Sequence, residues 1–232
     1  MGFFAITDYS SMLNRIGWAT FFAWVVATWT LNASFEPIRN VLPQQTVKVL
    51  GADYDVPLGV LLIALPAAYF CRILKLHDRL SDLFGIRHRF DVKEILLPMG
   101  SAAGVPLSLE HQATVESRRR QLMASVFYKY VSSTAKEPAI ERHSIALALD
   151  QWSWYWILLE ASAVAMTTAA IAMCFGGFSL GFWLLVAVLV AQWFLLYLRR
   201  LCVRYAQDQI KQILVDPTRK REIELVFRAL HH

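Results

Sequence analysis

The chain has 232 residues, 56% of them hydrophobic, and a formal net charge of +5, with an isoelectric point near 9.2. That balance argues against two ordinary soluble domains and suits one membrane domain with a modest soluble part. The three cysteines, Cys71, Cys174 and Cys202, stand far apart, which excludes a disulfide framework or a CxxC metal pair.

Four apolar stretches, Ile16 to Ala33, Val56 to Leu74, Trp152 to Phe175 and Phe178 to Leu198, each approach the roughly 20 residues that cross a hydrocarbon core about 30 Å thick. The expected fold is therefore an all-α integral membrane protein with four transmembrane helices and cytosolic helical extensions. Of the 23 Lys and Arg, only Arg15, Arg39 and Lys48 precede Val56; the rest fall between Arg72 and Arg142 or between Arg199 and Arg228. The positive-inside rule places those two segments, and both termini, in the cytoplasm. The expected organisation is a transmembrane hairpin over residues 1–74, a basic cytosolic insertion over 75–150, a second hairpin over 151–198, and cytosolic helices over 199–232.

The first stretch lacks the basic flank and small-residue cleavage site of a signal peptide, so it reads as a permanent span carrying Trp18, Trp24 and Trp29. Pro57 and Pro66 bracket the second, and a proline inside a span removes a backbone hydrogen bond, which predicts a kink near Leu62. Arg72, one turn from the exit, is placed to snorkel. Beyond it, Leu76, Leu80, Leu83 and Phe84 at helical spacing predict that the second span continues as a helix to about Gly85. Phe90 to Met99 is a short apolar run compatible with a strand or a helical turn, and Gly100 to Pro106 reads as a loop. Ser108 is an N-cap for a helix through about Val131.

Pro138 opens another helix that can run unbroken into the third span, whose inner end carries Trp152, Trp154 and Trp156 at the level indoles favour. The Gly176-Gly177 turn joins it to the fourth span, which extends to about Val215. Asp216-Pro217 then starts a last helix, Thr218 to Leu230, with an apolar stripe of Ile223, Val226, Phe227 and Leu230.

Glu160 is the acidic residue inside a span. An ionisable group at that depth costs about 2.5 to 3.5 kcal/mol on insertion scales, so it should face protein or water. Thr167 and Cys174 follow at seven-residue intervals on about the same helix face, forming a polar line that a water-filled path would need. The alternative is an interhelical hydrogen bond, with Gln192 the expected partner across the Gly176-Gly177 turn. Small residues recur at three or four (Ala161, Ala165 and Ala169; Gly17, Thr20, Ala23, Ala27 and Thr30), which lets helices approach closely within the chain or between copies.

Arg118, Arg119 and Arg120 with Lys129, and Arg219, Lys220 and Arg221 in the tail, are the densest basic runs. Consecutive helical positions spread about 100° apart, so each triplet forms a collar. Solvated surface or contact with anionic membrane lipids is the ordinary role. The sharper reading is a nucleotide or oligonucleotide ligand, with guanidinium groups on phosphate and Tyr128 or Tyr130 stacking on bases. His77, Asp78, Asp82, His88 and Asp91 cluster in sequence, but their spacing matches no metal motif, and neither a catalytic residue nor a cofactor is expected.

The layout of four spans, a basic insertion containing LFGIRHRFDVKEILLPM and ESRRRQ, and a basic helical tail resembles small membrane effectors of bacterial anti-phage defence systems. The resemblance implies a homo-oligomeric channel or pore in the bacterial inner membrane, a tetramer being one arrangement, that depolarises the host under nucleotide control. Two other classes stay open: a non-conducting scaffold that recruits a cytosolic partner protein, and a membrane-embedded hydrolase using the His and Asp cluster.

Overall fold

The computed structural model describes residues 6–48, 55–106, 108–132 and 139–231. It divides into two compact units. One gathers residues 13–77 and 153–197, and the other gathers residues 1–12, 78–152 and 198–232.

The first unit begins in helix α1 (Tyr9–Ser34). Thr20 and Thr30 enter this apolar helix by returning their hydroxyls to the carbonyls of Ile16 and Val26, at 3.0 and 2.8 Å, so neither leaves an unsatisfied donor. The end of α1 is closed from outside. Arg39, on the short helix α2 (Glu36–Val41), donates to the carbonyls of Asn32 and Ala33 at 3.3 and 2.6 Å, satisfying groups that a helix terminus otherwise leaves bare. A two-stranded antiparallel hairpin follows, β1 (Thr46–Lys48) with β2 (Asp55–Pro57), Val47 opposite Val56. It is a small addition to an otherwise helical chain. Gly59 is required beneath it, because a Cβ there would sit 2.7 Å from Leu42 Cβ and 3.0 Å from the Pro43 carbonyl.

Helix α3 (Leu58–Ile73) passes through Pro66 as one helix. The break comes later, at Lys75, whose φ of 46° is left-handed, and α4 (Leu76–Phe84) leaves at 56° to α3. The kink expected near Leu62 is thus displaced to the end of the helix, and the continuous extension to Gly85 is interrupted. Lys75 has a Cβ and no glycine's freedom, so this left-handed conformation is an uncommon one for it.

Helices α9 (Arg142–Cys174) and α10 (Phe178–Leu214) have 33 and 37 residues, roughly 50 and 55 Å at 1.5 Å per residue. Both are long and apolar enough to cross a membrane, and α3 with α4 would make a third candidate if the bent pair is one span. Helix α1 is also long enough, but its tryptophans, threonines and asparagines dilute its apolar character, and it does not join them. The chain is therefore an all-α protein with two candidate membrane-spanning helices where four were expected. The parts of α9 and α10 in the first unit, residues 153–174 and 178–197, are each about the length that crosses a hydrocarbon core. Along α10, Phe182, Trp183, Leu189, Val190, Trp193 and Phe194 are all exposed, an apolar surface far larger than a water-soluble monomer tolerates. Between α9 and α10 the Gly176-Gly177 turn uses a left-handed glycine, Gly176 at φ 79°. Gly181 then lets α10 close on Met173 and the Ala169 carbonyl, so α9 and α10 approach closely at Ala169 within the chain.

The second unit has its own hydrophobic core, in which Leu96, Met99, Val115, Met123 and Val126 of the insertion pack with Ile145 of α9, Cys202 and Ile213 of α10, and Ile223 and Phe227 of the last helix. The run from Phe90 to Met99 is helical: α5 (Ile86–Phe90) leads into a π-helical turn, Asp91–Leu96, and α6 (Leu97–Ala102). Gly100 therefore begins inside a helix, not a loop. Ser108 caps α7 (Leu109–Ser117) as expected, with His111 reaching back to its N–H at 3.2 Å. The predicted long helix is broken at Arg118, resumes as α8 (Arg119–Leu122), and ends in a second π-helical turn, Met123–Tyr128. Asp216 accepts from Thr218 N–H at 2.8 Å and caps α11 (Pro217–Arg228). The helix start expected at Pro138 lies outside the described residues.

Candidate functional site

Two polar constellations stand out, one in each unit. In the first, Glu160 is 3% exposed on α9. Its Oε2 accepts the hydroxyl of Thr20 from α1, and its Oε1 lies 3.5 Å from Nδ1 of His77, the second residue of α4. His77 in turn lies tilted at 59° to Trp156, with centroids 6.2 Å apart, and Trp156 meets Tyr155 edge-on at 5.3 Å. Three helices therefore converge on one carboxyl group. Nearby, the Arg15 guanidinium sits 4.3 Å over the exposed ring of Trp154, and Arg72 reaches Asn14 at 3.0 Å.

The other residues of the expected polar line do not join this cluster. Thr167 and Cys174 are exposed, Thr167 returning its hydroxyl to Ala163 O at 2.9 Å. The buried threonine is its neighbour Thr168, bonded to Val164 O at 2.8 Å. Gln192, the partner anticipated for Glu160, is exposed on α10, and Thr20 and His77 hold the carboxyl instead. Equal depth along two helices did not imply facing sides.

In the second unit the basic residues are largely spoken for. Arg119 is half-buried and pairs with Asp91, Nη1 to Oδ2 at 2.8 Å. Asp91 is 6% exposed, and burial pushes its carboxyl up to about 6, against the pull of Arg119 and Arg87. The Arg87 guanidinium also hydrogen-bonds the Tyr128 hydroxyl and lies 3.5 Å from Asp78. Desolvation and the Asp91 carboxylate raise the Tyr128 hydroxyl above its ordinary value. Asp91 and Tyr128 both sit on the π-helical turns, where the widened backbone re-aims side chains.

Lys129 pairs with Glu222 of α11 and lies 4.7 Å over the Tyr130 ring. The Tyr130 hydroxyl donates to the same carboxylate at 2.6 Å. These two hydrogen bonds hold Glu222 below the usual carboxylate range. Arg219 donates to Ala139 O at 2.6 Å and pairs with Asp216 at 3.1 Å. Each basic triplet is thus divided: Arg119 and Arg219 turn inward, whereas Arg118, Arg120, Lys220 and Arg221 are exposed. The His and Asp cluster is dispersed among separate partners, His88 lying 3.6 Å from Glu116, and among the described residues no group of three or more His, Cys, Asp or Glu is placed to hold a metal ion.

Sequence reasoning missed Thr20 and His77 as partners of Glu160, and Glu222 and Asp91 as the acids that engage the basic runs. A carboxylate set in the apolar run FDVKEILL was the available signal for Asp91. Nothing in sequence distance pointed to Thr20 or Glu222. No curated protein and no solved structure matches the chain. Residues 8–224 match the YmfE protein family, and the chain belongs to that family.

Proposed function

We propose that this YmfE-family protein is the subunit of an oligomeric ion channel or pore in a bacterial inner membrane, with α1, α3, α9 and α10 crossing the bilayer and the helical unit of the insertion and tail in the cytosol. The observation that carries this reading is Glu160, a carboxyl group inside a helical segment of bilayer length, held by Thr20 and His77 from two other helices. Polar and ionisable groups at that depth are expensive and mark ion or proton paths in membrane proteins. Opening of the channel depolarises the membrane, the role suggested by the layout resemblance to anti-phage effectors. The signal is an anionic nucleotide or oligonucleotide, for which exposed Arg118 and Arg120, the exposed Tyr128 ring, and Lys220 and Arg221 are the docking groups.

A non-conducting scaffold is favoured by a different aspect of the same cluster. Both oxygens of Glu160 are engaged inside one chain, as a bond that merely joins helices requires. Ion flux into liposomes containing the purified protein separates the two readings, with the mass in detergent measured on the same preparation. A channel gives flux from an oligomer, and Glu160→Gln changes its rate or cation preference. A scaffold gives no flux with or without nucleotide, and the substitution leaves its mass unchanged. A monomer without flux overturns the pore reading.

A further inference from the structure

We propose that α4 is a membrane-surface helix that lays Leu83 and Phe84 into the headgroup boundary of an anionic leaflet, with Lys75, Arg79 and Arg89 on lipid phosphates. The proposal rests on the membrane-spanning reading of α9 and α10. Leu76, Leu80, Leu83 and Phe84 form one stripe along the helix. Leu83 is 75% and Phe84 53% exposed, while Ser81, 2% exposed, marks the side that faces protein. Two large apolar residues on a two-turn helix therefore point away from the fold.

The occupant follows from where α4 starts and what flanks it. His77 lies 3.5 Å from Glu160 and 6.2 Å, ring to ring, from Trp156, so α4 begins beside an indole of α9, and indoles settle at the headgroup level. The left-handed turn at Lys75 sends the chain off at 56° from α3 at that point. Ile73 and Leu74, at the end of α3, are 55% and 45% exposed, so apolar side chains are exposed up to the turn at Lys75. Arg79 is exposed and flanks Leu83 on the helix surface. Arg89 donates to Phe84 O at 3.1 Å, fixing a cation at the helix C-terminus. Of the acidic residues, Asp78 pairs with Arg87, and Asp82 lies away from the stripe. An apolar stripe edged by cations is the pattern of helices that lie in an anionic membrane surface.

The test uses nitroxide labels on the full chain in vesicles, one each at Leu83→Cys, Asp82→Cys and Leu189→Cys. Cys71 and Cys174 are replaced by alanine, and buried Cys202 is retained. Collision with oxygen reports lipid, and collision with a water-soluble nickel chelate reports solvent. The expected oxygen-to-nickel ratio is several-fold higher at Leu83 than at Asp82. It rises further when phosphatidylglycerol is added to phosphatidylcholine, and Arg79→Gln with Arg89→Gln removes that rise. A Leu83 label as open to nickel as the Asp82 label, with Leu189 immersed, overturns the assignment of α4 alone. A Leu83 label shielded from both reagents means that protein covers it, a second copy or a partner, and also overturns it. Immersion that ignores lipid charge overturns the headgroup assignment, and nickel access at Leu189 overturns the membrane reading beneath.

Discussion

Thr20 has one hydrogen to give, and two acceptors lie within its reach: its own helix at Ile16 O, 3.0 Å away, and Glu160 Oε2 on another helix. Thr20→Val keeps the shape and removes the hydroxyl, leaving Glu160 with His77. A double-mutant cycle of Thr20→Val and Glu160→Gln, read from denaturation in detergent micelles, should give a coupling of about 0.6 to 2 kcal/mol. Asp91 offers a second residue-scale test, this one in pH. Its carboxyl titrates near 6 in the folded chain, above the ordinary 3.8, so folding opposes its ionisation. Stability from this group is complete below about pH 4, falls as pH rises towards 6, and is flat above, a loss on the order of 3 kcal/mol. Comparing thermal unfolding of the parent and Asp91→Asn from pH 4 to 7 should show the variant losing this downward slope relative to the parent. The composition of the run around Asp91 already showed an acid among apolar neighbours. That Arg119 would meet it was not legible, because 28 positions separate the pair.

At the scale of elements, what could be read in advance was what is decided locally. Ser108 and Asp216 cap the helices they were expected to cap, since an N-cap needs only a side chain and an amide two or three residues on. The break at Lys75, the interruption at Arg118 and the two π-helical turns have no local residue that demands them. They are settled by packing, and a periodicity of 3.6 cannot reveal a place where one residue is added to a turn. The cap at Ser108 predicts that Ser108→Ala costs about 1 kcal/mol, visible as faster amide exchange in the first turn of α7. Glu222 has a broader reach, since Lys129 and Tyr130 both hold it. Glu222→Gln should speed exchange in both α11 and the Met123–Tyr128 turn, and leave α7 unchanged.

For the whole molecule, the division of the chain into units follows the length of the long helices more than the order of the sequence. Phe227 and Ile223, each 1% exposed, fill a core that also holds Leu96, Met99 and Val115, more than a hundred residues earlier. Phe227→Ala should therefore destabilise that unit by about 3 to 5 kcal/mol, measurable as early unfolding of the unit while residues 153–174 of α9 and 178–197 of α10 keep their helical signal in micelles. Sequence periodicity exposed the stripe Ile223, Val226, Phe227 and Leu230, but not what it would cover. The number of spans was the harder inference, because tryptophan and threonine dilute the apolar character of α1, while α3, at 16 residues, is short for a span by itself.

The discontinuous core has a consequence in time. Residues 78–152 leave the ribosome before α10 and α11 exist, so Met99, Val115, Met123 and Val126 have no Ile213, Ile223 or Phe227 to close on. At about 5 to 20 residues per second, they wait several seconds, during which α9, α10 and α11 are made. The insertion is thus held as an unfinished half, and its completion reports that α10 and α11 have been made.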